Sequence, residues 1–86
     1  MMQQIKLEVI TPTGIITSKD CKLVSLPGRE GIIQIMYGHA AVIIDLKEGE
    51  IVIDDTERIR IILGFAIVDF SSCKVIITEE SINSTK

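Results

Sequence analysis

The sequence contains no tryptophan, only three aromatic residues and a single histidine, His39. Its two cysteines, Cys21 and Cys73, are too few for a disulfide scaffold and lack the spacing of metal ligands. They are expected to be small buried hydrophobes in a reducing compartment. The 86 residues leave room for one core, since chains of this size bury only roughly 60% of their unfolded surface. A catalytic cleft between two domains is therefore excluded.

Long apolar runs, phosphate-binding loops and clustered basic residues are also missing. No apolar run approaches the roughly 20 residues that a membrane-spanning helix needs, and the N-terminus has no signal-peptide pattern, so a soluble chain is expected. The six glycines form neither a Walker A loop nor a GxGxxG turn, which argues against catalysis on ATP. The net charge is −3 and the basic residues are scattered, so nucleic acid is not an expected partner.

What the sequence does contain is a large excess of β-branched residues, including 18 isoleucines, which favours sheet. Apolar and polar residues alternate along several segments, and turn signals recur every 8 to 12 residues or so, a spacing typical of a β-sandwich or barrel. We therefore predict an all-β sandwich over residues 1–80 and a polar tail over 81–86. Strands are predicted near 5–11, 14–17, 21–26, 32–36, 41–46, 50–54, 57–63, 64–70 and 73–78.

His39 is the natural first candidate for chemistry because it is the only histidine. The nearest carboxylate that could orient it, Asp45, is separated from it by a predicted strand, so a structural or interface role at a turn is favoured over catalysis. One histidine and two distant cysteines do not predict a metal site. The sequence thus predicts no catalytic residue, no metal and no cofactor.

Lys47 and two acidic pairs are the remaining candidates. Lys47 lies in a predicted hairpin, where lipoyl and biotinyl carrier domains place the lysine that is modified, although the surrounding DLKEG differs from the usual context. The pairs Asp54-Asp55 and Glu79-Glu80 lack the loop spacing of a calcium site, and adjacent strand residues point to opposite faces. They are expected to be solvated charges of a turn and a tail.

Five short motifs appear in an order that resembles the N-terminal domain of F-type ATP synthase epsilon subunits, called delta in mitochondria. Each motif alone is weak, and the resemblance rests on their order and spacing over most of the chain. In this family the domain is a flattened β-sandwich of about ten short strands, consistent with the alternation. The motifs are VITPTG at 9–14, LPGREG at 26–31, YGHA at 37–40, LKEG at 46–49 and TEES at 78–81.

The resemblance implies a non-catalytic subunit of the central stalk, which packs against the gamma subunit, meets the c-ring, and couples proton flow to ATP synthesis. It implies peripheral attachment to a membrane through the complex, with no need for self-oligomers. The expected location is the cytoplasmic face of a bacterial inner membrane, with the inner face of a mitochondrial or plastid membrane as the alternative. By resemblance, Arg29, Glu30, Gly31 and Ile32 would face the c-ring. The residues that would face gamma are Thr11, His39, Ala41 and Ile44.

Some features depart from the family pattern. The usual PGHAP is Tyr37-Gly38-His39-Ala40-Ala41, and Phe65 replaces the second glycine of a common pair at Gly64. The C-terminal helical hairpin of the family does not appear. If Lys86 is the natural end, inhibition by that hairpin and the ATP binding of some members are expected to be absent. A lipoyl or biotinyl carrier domain and a free-standing ligand-binding β-sandwich remain as alternatives.

Overall fold

The computed structural model describes residues 3–80, with side chains described to residue 78, and this part of the chain is all β. The predicted fold class is confirmed with eight strands instead of about ten. The predicted tail, 81–86, and the Glu79-Glu80 side chains lie outside what is described. The strands are β1 Ile5–Thr11, β2 Gly14–Cys21, β3 Val24–Gly28, β4 Gly31–Ile35, β5 Val42–Leu46, β6 Gly49–Ile53, β7 Glu57–Val68 and β8 Ser72–Glu80.

The strands form one hydrogen-bonded sheet in the order β2-β1-β8-β7-β5-β3-β4, with β6 pairing both β3 and β7. Strands β1 and β8 run parallel, and all other pairs are antiparallel. The first half of β7 pairs with β6 and its second half pairs with β5 and β8. One long strand thus belongs to both halves of the sheet, which encloses the core.

Two predicted strands, 57–63 and 64–70, are a single strand in the structure. The prediction divides them between Leu63 and Gly64, but Gly64 pairs with Leu46 on one side and Ile77 on the other. The register of β7 against β8 shifts on either side of Leu63, so the chain changes its pairing there without a turn. The actual turn is the short loop between Val68 and Ser72.

The core is built from alternate residues of the strands, whose side chains point to the enclosed face. Leu, Ile and Val dominate it, and twelve large side chains are less than 2% exposed. Thr11 is the one buried polar residue among those described, and its Oγ1 bonds to Thr13 and the carbonyl oxygen of Gly14. The core comprises Ile5, Leu7, Val9, Cys21, Val24, Leu26, Ile35, Ile44, Leu46, Ile51, Ile53, Ile61, Ala66, Val68, Cys73, Val75 and Ile77.

Both cysteines are free thiols inside this core, as predicted for small buried hydrophobes. Cys21 of β2 lies opposite Ile5 of β1, and Cys73 of β8 lies opposite Leu7 of β1. Burial raises the pKa of the Cys21 thiol to about 11 and that of the Cys73 thiol to about 12. Since the thiolate is the reactive form, both are protonated and inert at neutral pH.

Asp54 and Asp55 form the turn between β6 and β7, as predicted, but Asp54 is more than a solvated charge. Both residues have positive φ, 51° and 59°, and Thr56 donates its N–H to Ile53 O at 3.0 Å, which defines a type I′ turn. Asp54 Oδ1 accepts the N–H groups of Lys22 and Leu23 at 2.9 and 3.0 Å. This carboxylate therefore ties the β6–β7 turn to the β2–β3 connection.

No helix among residues 3–80 has the length and hydropathy to cross a membrane.

Candidate functional site

The predicted c-ring-facing residues occupy the tip of the β3–β4 hairpin. Gly28 pairs with Gly31, so the loop consists of Arg29 and Glu30 alone, and it is shorter than the gap between the predicted strands 21–26 and 32–36. Gly31 has φ +138°, a conformation that favours glycine, and a Cβ on Gly28 would come within 2.6 Å of the Gly31 carbonyl oxygen. Both glycines are therefore needed for a turn this tight.

All four of these residues are accessible. Arg29, Glu30 and Gly31 are exposed, and the Ile32 side chain, at 77%, is the most exposed large hydrophobic side chain among those described. The loop is held from one side, because the Arg29 N–H donates to Asp45 O at 2.9 Å. An exposed isoleucine beside two opposite charges is a surface that another protein can cover.

The segment containing His39 lies at the other end of β5 and is attached to the β7–β8 turn. The Gly38 N–H donates to Phe70 O at 2.7 Å, and the Tyr37 and Phe70 rings meet edge to face with centroids 4.9 Å apart. His39 is half-buried, its Nδ1 lies 2.7 Å from Ala40 O, and Ala41 is exposed. No described carboxylate hydrogen-bonds to this imidazole, so the geometry offers no acid–base pair.

The β7–β8 turn that supports this segment is organised by Asp69. Its Oδ1 accepts the N–H groups of Ser71 and Ser72 at 3.0 and 2.8 Å and the Ser72 hydroxyl at 2.9 Å. The hydrogen bond from the Ser71 N–H, followed by those from Ser72, holds the pKa of the Asp69 carboxyl below its usual range. The charged form is therefore the one that this turn stabilises.

We expect Asp69→Asn to lower the free energy of unfolding at neutral pH. In acid the variant and the wild type should be equally stable. Because the folded-state pKa is depressed, the contribution of Asp69 is fully present above its unfolded pKa of about 3.9 and disappears as the pH falls through the lower folded value. Urea unfolding of both proteins from about pH 6 to pH 2 should show the two stabilities converging in acid. A constant difference across that range would contradict this role, and carboxyl NMR titration of Asp69 gives the pKa independently.

Two of the four predicted gamma-facing side chains lie in the interior. Thr11 is 5% exposed and Ile44 is 8% exposed, and Ile44 belongs to the core on β5. A side chain buried within its own chain has little surface to offer a partner, so Thr11 and Ile44 are not surface positions of the free chain. Alternation along β5 instead turns Ile43 outward, and this side chain is 68% exposed.

A groove brings together some members of the two predicted sets, Arg29 and Glu30 of one and Ile44 of the other. It has a volume of about 290 Å³ and lies between the hairpin tip and β5. Arg29 and Glu30 stand at one wall, Ile33 lines it from β4, and the run from Val42 to Asp45 forms the other wall. His39 and Ala41 are not part of its lining; they precede β5 on the chain.

The outward side of β1, β8, β7 and β5 carries an apolar surface continuous with this groove. In register, Ile10 lies opposite Ile76, Ile76 opposite Phe65, and Ile67 opposite Ile43. We call this surface the apolar face; it comprises Ile10, Ile43, Leu63, Phe65, Ile67 and Ile76. Because direct cross-strand neighbours point to the same side, these side chains form a patch beside the Arg29–Glu30 loop, flanked by Lys74 opposite Ile67 and by Asp45 opposite Phe65.

The outward side of β6 and the first half of β7 has the opposite character. Arg58 Nη1 lies 3.1 Å from Glu50 Oε1, and Arg60 Nη2 lies 2.9 Å from Glu48 Oε2. All four side chains are substantially exposed, so these pairs contribute at most about 1 kcal/mol each and serve mainly to keep this side solvated. The two outer sides of the molecule are therefore chemically unequal.

Within residues 3–80, no three His, Cys, Asp or Glu side chains are grouped closely enough to hold a metal ion. Lys47 is exposed in the short link between β5 and β6, and its N–H donates to Pro27 O at 2.9 Å. The predicted hairpin at Lys47 is wrong, because β5 and β6 do not pair with each other. Each of them pairs with β7 instead.

A protein-family model described as ATP synthase, Delta/Epsilon chain, beta-sandwich domain matches residues 4–83. The chain belongs to this family. The resemblance predicted from the five motifs is thereby confirmed, and the β-sandwich of the family agrees with the all-β structure. Membership in the delta/epsilon family also outweighs the carrier-domain and free-standing ligand-binding alternatives.

Two of the similar curated proteins are bacterial epsilon chains. The ATP synthase epsilon chain of Aliarcobacter butzleri is 41% identical over 78 residues, which cover 87% of this chain and 62% of the relative. The epsilon chain of Rickettsia bellii is 32% identical over 90 residues, covering 99% of this chain and 83% of the relative. The chain thus spans about three fifths of the length of the first relative and more of the second.

Solved structures show the same fold at low identity. The chain matches one in the central stalk and c-ring of the Tetrahymena thermophila mitochondrial ATP synthase with a TM-score of 0.75 and 16% identity, covering 91% of this chain and 66% of that one. It also matches a chain in the Euglena gracilis mitochondrial ATP synthase, OSCP/F1/c-ring, with a TM-score of 0.79 and 18% identity. That match covers 94% of this chain and 54% of the Euglena chain.

Sequence reasoning did not find the groove or the inequality of the two outer sides. The run Val42 to Ile44 is apolar at every position, so it hides which residue points outward. Leu46 gives the information that the run lacks, because it is apolar between the polar Asp45 and Lys47 and should therefore point to the core. Residues two apart in a strand share a face, so Ile44 should point to the core as well.

Proposed function

We propose that this chain is a non-catalytic rotor subunit of the central stalk of a proton-translocating F-type ATP synthase. In this role it links the gamma subunit to the c-ring and transmits rotation between proton flow and ATP synthesis. It contributes no catalytic residue and needs no cofactor. Membership in the delta/epsilon family supports this proposal, as do the epsilon-chain names of its bacterial relatives.

The observation that carries the proposal is the inequality of the two outer sides together with the position of the loop. The apolar face is suited to lasting contact with another protein, whereas the ion-paired side is suited to water. We assign the apolar face to gamma and the Arg29–Glu30 loop, with Gly31 and Ile32, to the c-ring. His39 and Ala41 lie next to the exposed start of β5, from which they would extend the gamma contact.

In this proposal the complex, and not the chain itself, is attached to the membrane. The relatives belong to bacteria, and a rotor subunit of their ATP synthase would lie on the cytoplasmic side of the inner membrane, where F1 assembles. Self-association is not required for this role, because the partners supply the surfaces that cover the apolar face.

Affinity capture from native membranes in mild detergent tests both assignments. The tagged chain should recover gamma with the alpha, beta and c subunits, as identified by mass. Reversal of both loop charges, Arg29→Glu with Glu30→Arg, should leave the fold intact, since exposed charges contribute about 0–1 kcal/mol, and should reduce recovery of the c subunit while gamma is retained.

The matched control is the reversal Glu50→Arg with Arg58→Glu on the ion-paired side, which should leave both recoveries unchanged. Unaltered recovery of the c subunit with the loop variant would refute the loop assignment. Recovery of the folded chain alone would refute the rotor function, and intact-mass analysis would then test Lys47 for a carrier modification.

A further inference from the structure

The edge of β5 that borders the groove has no strand partner among residues 3–80 over most of its length. Strand β5 pairs with β7 at all five residues, from Val42 to Leu46. On its opposite edge it meets β3 only where Leu46 lies opposite Gly28. A partly uncovered edge in the interior order of a sheet is unusual, because proteins normally cover, shorten or charge such edges.

Two hydrogen bonds establish which backbone groups face the groove. The Arg29 N–H donates to Asp45 O, and the Lys47 N–H donates to Pro27 O, both at 2.9 Å. Asp45 therefore directs its backbone groups toward the β3 side. Because backbone groups alternate between the two edges of a strand, Ile43 directs its N–H and C=O to the same side, into the groove.

The side chains around this edge define what could lie along it. Ile44 and Ile33 line the inner side of the groove, and Ile43 stands outward on the apolar face. A strand running beside β5 would alternate between these two environments, with one residue directed at Ile33 and Ile44 and the next lying beside Ile43. The Arg29 and Glu30 side chains at the wall would contact the end of such a strand.

We propose that the free edge of β5 receives an extended segment of the partner protein, which adds a strand to the sheet. The segment would form two backbone hydrogen bonds with Ile43, one with its N–H and one with its C=O. The residue that the segment directs at Ile33 and Ile44 would be apolar. Strand addition of this kind supplies affinity from the main chain and selectivity from alternate side chains. The inference rests on the proposed function, to which it adds the way in which gamma binds.

Residue-resolved hydrogen exchange of the chain, alone and in complex with the purified gamma subunit, tests this mode. The Ile43 amide should exchange rapidly in the free chain and at least roughly tenfold more slowly in the complex, because it gains an acceptor. The edge amides of β2 serve as the internal control and should not change. If no complex forms, the proposed function fails; if it forms while Ile43 exchanges at the free rate, only strand addition is refuted.

A proline at the same position tests the hydrogen bond separately. The Ile43 N–H points away from β7, so Ile43→Pro removes a groove-side donor without removing a ladder bond, as edge positions tolerate. Ile43→Ala is the matched control, since it shortens the side chain and keeps the N–H. We expect Ile43→Pro to bind gamma roughly three- to tenfold more weakly than Ile43→Ala. Equal affinities with both variants folded would overturn the proposal, and hydrogen exchange decides it if the proline variant does not fold.

Discussion

Ile44→Asp is expected to unfold the isolated chain, whereas Ile43→Asp should leave it folded. Ile44 is 8% exposed within the core, where an aspartate would be a buried charge without a described partner. Such a change removes at least about 3 kcal/mol of stability, a large part of what a domain of this size has. Ile43 is 68% exposed, so an aspartate there remains solvated.

The two variants are matched in chemistry and differ by one position on the same strand. Urea unfolding monitored by circular dichroism should show a folded Ile43→Asp protein with a midpoint near that of the wild type. Binding to gamma should nevertheless be weaker for Ile43→Asp, because the charge lies on the apolar face beside the groove. A stable, well-folded Ile44→Asp protein would contradict the placement of this residue in the core.

Gly64→Ala is expected to cause the second large loss of stability. Gly64 is buried in the middle of β7, and a Cβ there would overlap the carbonyl oxygen of Ile76 and lie 3.1 Å from Ile77 Cα. Both obstacles belong to the backbone of β8, which cannot move aside without breaking its pairing with β7. The cost should be about 3 kcal/mol, on the order of 15 °C in Tm.

Gly31→Ala is the appropriate control for that experiment. Gly31 has φ +138° but open space around the position of a Cβ, so its substitution carries only backbone strain, on the order of 1–3 kcal/mol. Thermal unfolding of the two variants therefore separates the steric effect from the conformational one. A loss of less than about 1 kcal/mol for Gly64→Ala would mean that β7 and β8 can separate to accommodate the methyl group at Gly64.

The fold class followed from the sequence because its signals are local. Alternation along β1 and the first half of β7 predicted strands directly, and the turn at Asp54 was marked by polar residues. The continuity of β7 through Gly64 was not predictable in this way. A glycine inside a strand resembles a break in sequence, and only the close approach of β8 explains why a side chain is missing there.

The candidate site was less accessible to sequence reasoning, since it depends on which strands meet. The Arg29–Glu30 loop is the exception, because Pro27, Gly28 and Gly31 around it are residues that favour a turn. The apolar face was not found, because Ile10, Ile76 and Phe65 become neighbours only through the pairing of β1, β8 and β7. Asp54 likewise acts on the backbone of Lys22 and Leu23, more than 30 residues away.

The parallel pairing of β1 with β8 has a consequence for the order in which the chain can fold. Strand β1 lies between β2, its sequence neighbour, and β8, which begins at Ser72. The N-terminal hairpin therefore leaves the ribosome long before the strand that anchors it to the rest of the sheet. Such long-range pairing makes folding slow, and Ile5, Leu7 and Val9 of β1, which are fully buried in the finished fold, remain open to nascent-chain aggregation or chaperone binding until synthesis reaches β8.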